Sequence, residues 1–143
     1  MPTATVAIAA GDEAARELLL RIVERAGLAA APLGVSTTDL TALAAAGADL
    51  AVLDLDADAP AVVEAVRSHR DAAVAGLRLV VLADGAAVGR RAWQAGADGF
   101  LARPFHHDRL VATLRDVLDR PDSARAAVRR AASTEYLGGR ASP

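Results

Sequence analysis

The chain has 143 residues, a formal net charge of −2 and 53% hydrophobic residues, a composition typical of a folded domain and not of a disordered chain. It has no cysteine, which excludes a disulfide scaffold, a zinc ribbon and a thiol nucleophile. No apolar run reaches the roughly 18 residues that a membrane span needs, and the slightly acidic balance argues against nucleic-acid binding, so we expect a cytoplasmic domain.

Short apolar runs alternate with helical periods along the chain. We predict five strands, at residues 5–9, 30–35, 50–55, 77–82 and 99–102. The helices that follow them are predicted at residues 12–26, 39–46, 59–69, 86–95 and 107–118. Asp12 is a suitable N-cap for the first helix and Gly27 ends it. The third strand is apolar on both faces except for Asp54, as expected at the centre of a covered sheet.

Five β-then-α units joined by short links predict an α/β fold, with a doubly wound, five-stranded parallel sheet within residues 1–120. In such sheets functional residues collect at the carboxyl ends of the strands. Residues 121–143 have a different pattern. We predict a short helix there, at residues 123–132, which carries Arg125, Arg129 and Arg130 but has little apolar surface, followed by a flexible tail or linker.

Two motifs are more specific than this alternation. They are D-L-A-V-L-D-L at residues 49–55 and A-G-A-D-G-F-L-A-R-P-F at residues 95–105. With the five-fold spacing, they resemble the receiver domain of bacterial response regulators over residues 4–120. The resemblance implies the flavodoxin-like (βα)5 receiver fold and a cis bond before Pro104. It also implies a non-enzymatic role in two-component (phosphorelay) signal transduction, in which Asp54 would accept a phosphoryl group from a histidine kinase.

The site that the resemblance implies is altered at four positions. The acidic pair that would hold Mg²⁺ falls on Ala10 and Gly11, whose side chains offer no ligand. The Ser or Thr of the fourth strand is Ala83, and the Lys of the fifth strand is Arg103. We therefore expect no metal site, with Mg²⁺ binding weak or absent.

Two side chains near this site have alternative interpretations. Asp12 is either a substitute metal ligand or only the cap of the first helix. Arg103 keeps the positive charge of lysine but is planar and suited to pairing with a carboxylate. We expect its guanidinium to bond to Asp54 or Asp12 and to fill the space that a metal and a phosphate would use.

Other side chains are candidates for switching or for contacts with other proteins. Phe100 is at the position of the family's switch aromatic, and it is either a reporter of the site or a core aromatic residue. Trp93 is the only tryptophan in the sequence, and tryptophan is enriched at interface hot spots. The charged residues near it are also interface candidates, namely Arg90, Arg91, Asp98 and Arg109.

Together these features predict an atypical, phosphorylation-independent receiver domain that acts as a protein-interaction or dimerisation module. Its expected partners are its own output domain, a sensor kinase or another signalling protein, and a homodimer would use helix four, strand five and helix five. Two alternatives stay open. One is a phosphoaccepting receiver that uses Asp54 with an altered metal site, and the other is a flavodoxin-like module that responds to a small ligand.

Overall fold

The fold is seen in a computed structural model of the chain, which describes residues 3–32 and 47–138. The helix predicted at residues 39–46, the end of the second predicted strand and the tail after residue 138 lie outside the described residues. None of the described helices is long and apolar enough to cross a membrane.

Five strands form a single parallel sheet in the order β2-β1-β3-β4-β5. The strands are β1 (Thr5–Ala10), β2 (Ala29–Pro32), β3 (Leu50–Asp54), β4 (Arg78–Ala83) and β5 (Gly99–Ala102). This order is that of a doubly wound, flavodoxin-like sheet, in which the chain changes direction between β1 and β3. The predicted fold class is confirmed.

Six helices of the described chain surround the sheet or follow it. They are α1 (Glu13–Arg25), α2 (Ala59–Arg67), α3 (Ala72–Ala75), α4 (Ala86–Ala95), α5 (His107–Asp119) and α6 (Asp122–Gly138). A 3-10 turn, Asp56–Asp58, connects β3 to α2. The single-turn helix α3 was not predicted from the sequence, because four residues are too few to show a helical period. It begins where the Asp71 carboxylate accepts a hydrogen bond from the Ala73 N–H at 2.9 Å.

The core consists of two apolar layers, one on each face of the sheet. Alternate residues of each strand enter opposite layers, so Ala7 and Leu53 belong to one layer and Ile8 and Leu50 to the other. The first layer lies under α2 and α4, and the second lies under α1 and α5. Aliphatic residues and alanine fill both layers because the chain has very few aromatic residues.

The helix at the end of the described chain is longer than predicted and is not isolated. Whereas the sequence predicts a short helix near residue 123, α6 runs for 17 residues and packs against α4. It follows α5 after only Arg120 and Pro121.

A close approach between α4 and β5 provides a test of the packing. A Cβ atom on Gly89 would collide with the ring of Phe100, so Gly89→Ala overfills this contact. We expect a loss of about 1–3 kcal/mol in the free energy of unfolding, measured by urea denaturation. The Phe100→Leu background should reduce this loss. A gain in stability on Gly89→Ala, as for an exposed helix position, would contradict the packing.

Candidate functional site

The carboxyl ends of the central strands bring the predicted site together. Ala10 is the register partner of Asp54, and the Gly11 N–H donates to the Asp54 carbonyl oxygen at 3.1 Å. On the other side, the Arg103 N–H donates to the Ala83 carbonyl oxygen at 2.9 Å. The backbone of the sheet therefore holds all five positions at one edge, and Arg103 extends its side chain across that edge.

The centre of the site is an ion pair between Arg103 and Asp54. The guanidinium Nη2 of Arg103 contacts Oδ1 of Asp54, whose side chain is only 6% exposed. The Nη1 atom lies 3.3 Å from the Asp56 carboxylate and 3.2 Å from the Asp84 carboxylate. One guanidinium thus faces three carboxylates, one at the end of β3, one after β3 and one after β4. Of the two partners expected for Arg103 from the sequence, Asp54 and Asp12, the structure has Asp54.

The local backbone brings Asp56 to this guanidinium. Asp56 has a φ of 49°, and within the described ranges it is the one non-glycine residue with positive φ. Aspartate adopts this left-handed conformation more readily than most residues do. The chain turns there into the 3-10 turn, so that its carboxylate reaches Arg103 while remaining exposed to solvent. The peptide bond between Arg103 and Pro104 is cis, as the resemblance implies.

The side chains present do not fit the Mg²⁺ site that the fold implies. Ala10 and Gly11 have no donor atoms, and the Asp12 carboxylate caps α1 by accepting a hydrogen bond from the Ala15 N–H at 3.1 Å. The Asp54 carboxylate, which would remain, is paired with a cation already. In the two described segments, no group of three or more His, Asp or Glu side chains could hold a metal ion.

The two other switch positions lie close to this pair in the fold. Ala83 is fully buried and has no hydroxyl group, and Asp84, which follows it, is exposed. Phe100 is half-buried and packs against Gly89 of α4 and the layer beneath it. This position links β5 to α4 through direct contact.

One predicted interface residue is not at the surface. Asp98 was placed among the exposed charges around Trp93, but it is completely buried at the amino end of β5. Three arginines from the same chain surround its carboxylate, so it is not available to a second protein. Their guanidinium groups lie at 2.8 Å for Arg67, 2.9 Å for Arg125 and 3.0 Å for Arg129. The interface prediction for Asp98 is therefore wrong, because it treated a loop position before a strand as solvated.

The environment of Asp98 favours its ionised form. Burial alone would raise the pKa of this carboxyl, but hydrogen bonds from Arg125 and from the Leu79 N–H, with the charges of Arg129 and Arg125, outweigh it. The pKa of Asp98 is therefore lower than its ordinary value. Burial lowers the pKa of Arg67 to about 10 in spite of the opposing charge of Asp98. At neutral pH both groups are charged.

Arg67 also organises the backbone around this cluster. It donates to the carbonyl oxygens of Ala75, Leu77 and Gly96, at 2.9, 2.6 and 2.9 Å. The ends of α3 and α4 are thereby tied to the start of β4. The sequence did contain one signal of the cluster, since arginines at positions 125 and 129 lie on the same face of a helix.

The remaining interface candidates lie on the two helices that contact β5. On α4, Trp93 and Arg90 are half-buried and Arg91 is exposed, while Arg109 is exposed on α5. Both helices contact β5, and α6 packs against α4.

No family model matches the sequence, and comparison with curated proteins finds no match either. Solved structures do have the same fold. A response regulator signal receiver domain from Bermanella marisrubri superposes with a TM-score of 0.72 and 21% identity over 82% of this chain and 100% of the other. Chemotaxis protein CheY4 of Vibrio cholerae gives 0.68 and 20% over 81% and 99%. An orphan response regulator of H. pylori gives 0.66 and 20% over 82% and 99%. These likenesses establish the receiver fold.

The buried Asp98 cluster predicts a specific response to acid. Because the pKa of Asp98 is lowered in the folded state, its stabilisation is present above the unfolded pKa of about 3.9 and is lost as the pH falls through the folded value. We expect Asp98→Asn to lower the free energy of unfolding by about 3–5 kcal/mol at pH 7. The difference from the wild type should shrink in urea titrations at pH 3. A difference that is the same at both pH values would contradict this assignment.

Proposed function

We propose that this chain is an atypical receiver domain in two-component signal transduction, that it works without phosphorylation, and that it acts through contacts with other proteins. The observation that supports this proposal best is the contact between the Arg103 guanidinium and the Asp54 carboxylate. The receiver fold supports the broader role, because such domains are signalling modules and not enzymes with turnover. A location in the cytoplasm is part of the same proposal.

The chemistry of phosphoryl transfer supports the finer statement. A carboxylate attacks a phosphoryl group only when the negative charges of both are offset, which a divalent cation does in this fold. Here the offsetting charge is a guanidinium that is covalently part of the chain and that contacts the acceptor carboxylate itself. The Asp84 carboxylate lies at the same guanidinium and would repel an incoming phosphate. Weak or absent Mg²⁺ binding follows from the missing side-chain donors at positions 10 and 11.

The interaction surface belongs to the same proposal. On α4, Trp93 is half-buried and Arg91 is exposed, and Arg109 is exposed on α5. Aromatic residues and arginine are enriched where binding energy is concentrated. We place the homodimer or partner contact on α4, β5 and α5, outside the part of α4 that α6 covers. Its own output domain, a sensor kinase or another signalling protein would dock there.

The first test uses a mimic of the phosphoryl group. Beryllofluoride with Mg²⁺ should leave the fluorescence of Trp93 and the amide NMR spectrum of the wild-type protein unchanged. The matched control restores the implied site with Ala10→Asp, Gly11→Asp, Ala83→Thr and Arg103→Lys in one chain, which should respond to the mimic.

The competing hypothesis is a phosphoacceptor with an altered metal site. A spectral response of the wild type that is lost on Asp54→Asn would support it and would overturn the proposal. Acetyl phosphate provides a second measurement. A phosphoryl group detected by intact mass on the wild type but not on Asp54→Asn would likewise support the phosphoacceptor hypothesis.

The second test addresses the surface. Sedimentation equilibrium should show self-association of the wild type, and Trp93→Ala should weaken it about thirtyfold, as the loss of a hot-spot residue does. Leu18→Ala is the matched control, because Leu18 is an exposed large hydrophobic residue on α1. Equal weakening by both substitutions would place the contact elsewhere.

A further inference from the structure

Within residues 122–134, two arginines make most of the polar contacts of α6 with the sheet. None of the side chains in this stretch is fully buried, and the half-buried apolar ones are small, namely Ala124, Val128 and Ala132. The half-buried charged side chains are Arg125, with 11% of its side chain exposed, and Arg129, with 24%. Two guanidinium groups thus anchor this stretch of α6 beside β5, while the helix also packs against α4.

These groups enter a site rich in hydrogen-bond acceptors. Arg125 donates to both carboxylate oxygens of Asp98, at 2.9 and 3.1 Å, and to the carbonyl oxygens of Gly76 and Leu77, at 2.9 and 3.3 Å. Arg129 donates to Asp98 at 3.0 Å. All these acceptors belong to the receiver domain itself, and they are at the end of the sheet opposite the Arg103–Asp54 pair.

The guanidinium groups at this site outnumber the carboxylates while α6 is docked. Arg67, Arg125 and Arg129 all contact the carboxylate of Asp98, and Arg125 also lies 3.2 Å from the exposed Asp122 carboxylate of α6 itself. Burial lowers the pKa of Arg67, and the positive charges of the two arginines from α6 lower it further. The Nε atom of Arg129 is buried and has no hydrogen-bond partner among the described residues, which is a further cost.

Undocking of α6 would leave the buried carboxylate of the receiver core paired. Asp98 would keep the Arg67 guanidinium at 2.8 Å and the Leu79 N–H at 3.0 Å. The usual penalty for breaking a buried ion pair arises from the charge that remains unpaired, and Asp98 avoids this penalty here.

Two further contacts link α6 to the rest of the domain. Arg78 of β4 would lose its contact with the exposed Asp122 of α6 and would keep its hydrogen bond to the Val117 carbonyl oxygen. Arg120 and Pro121 connect α6 to α5, and Arg120 donates to the Asp98 carbonyl oxygen and to the Asp116 carboxylate.

We propose that α6 is a releasable strap, a tethered ligand whose Arg125 and Arg129 occupy a guanidinium-binding site made by Asp98 and the carbonyl oxygens of Gly76 and Leu77. In the docked state the strap covers part of α4. In the released state it uncovers that part of α4 and leaves the site open to another helix that carries two arginines four residues apart.

Hydrogen exchange of the full chain, followed amide by amide, tests this proposal. Arg125→Ala with Arg129→Ala should speed the exchange of α6 amides about a hundredfold, at about tenfold for each charged hydrogen-bonding group removed. Amides of β1 and β3 should keep their wild-type rates. Arg130→Ala is the matched control, because Arg130 is exposed on the same helix, and it should change neither rate.

Each other outcome overturns the strap. Unchanged α6 exchange in the double variant would mean that apolar packing holds the helix. Equal acceleration in α6 and in β1 and β3, or failure of the double variant to fold, would mean that α6 is an integral part of the domain. Asp98→Asn keeps the size of the side chain and removes its charge, and it should also speed the exchange of α6 amides. Because it leaves Arg67 unpaired as well, it should speed the exchange of β1 and β3 amides, which the double variant does not. These outcomes are independent of the response to beryllofluoride.

Discussion

A carboxylate inside a protein must be compensated by cations or hydrogen bonds, because burial without them is very costly. The described part of this chain buries two charged residues, Asp54 and Asp98, and each is paired with arginine. They lie at opposite ends of the sheet, Asp54 at the carboxyl end of β3 and Asp98 just before the start of β5. The need to pair Asp54 fixes the position of Arg103 at one end. The need to pair Asp98 fixes the positions of Arg67 and α6 at the other.

The two pairs also explain why the basic residues of the site are arginines. The chain has 16 basic residues and no lysine, which by itself reflects only a bias in composition. A guanidinium, however, presents several donors in one plane, and Arg103 and Arg125 each contact more than one acceptor group at once. The ammonium of lysine is a point charge and would not reproduce this geometry. At position 103 the guanidinium is bonded to the Asp54 carboxylate. The acidic pair and the hydroxyl group that the resemblance implies are absent from the same end of the sheet.

The sequence predicted the sheet and most helix bounds, because these follow from periodicity. It predicted a bond from Arg103 to Asp54 or Asp12, because arginine at this strand end is suited to pairing with a carboxylate. It did not predict the environment of Asp98. The burial of Asp98 depends on Arg67, 31 positions before it, and on Arg125 and Arg129, 27 and 31 positions after it. A local sequence pattern does not show contacts over such separations. The docking of α6 was missed for the same reason, since its apolar face is too small to indicate packing and its arginines look like a solvated surface. The single turn α3 was too short for a period to appear.

The position of Arg103 has a further consequence for motion. Its guanidinium ties the segments that follow β3 and β4 to the end of β5, which are loops that a switching domain must keep free to rearrange. Loops that are already ordered lose little conformational entropy when a partner binds, so recognition there begins from a preorganised surface. Under the proposed function, this end of the domain keeps one arrangement of its loops instead of two. The information that it passes to a partner there then lies in how many copies the cell makes, and not in phosphorylation of each copy.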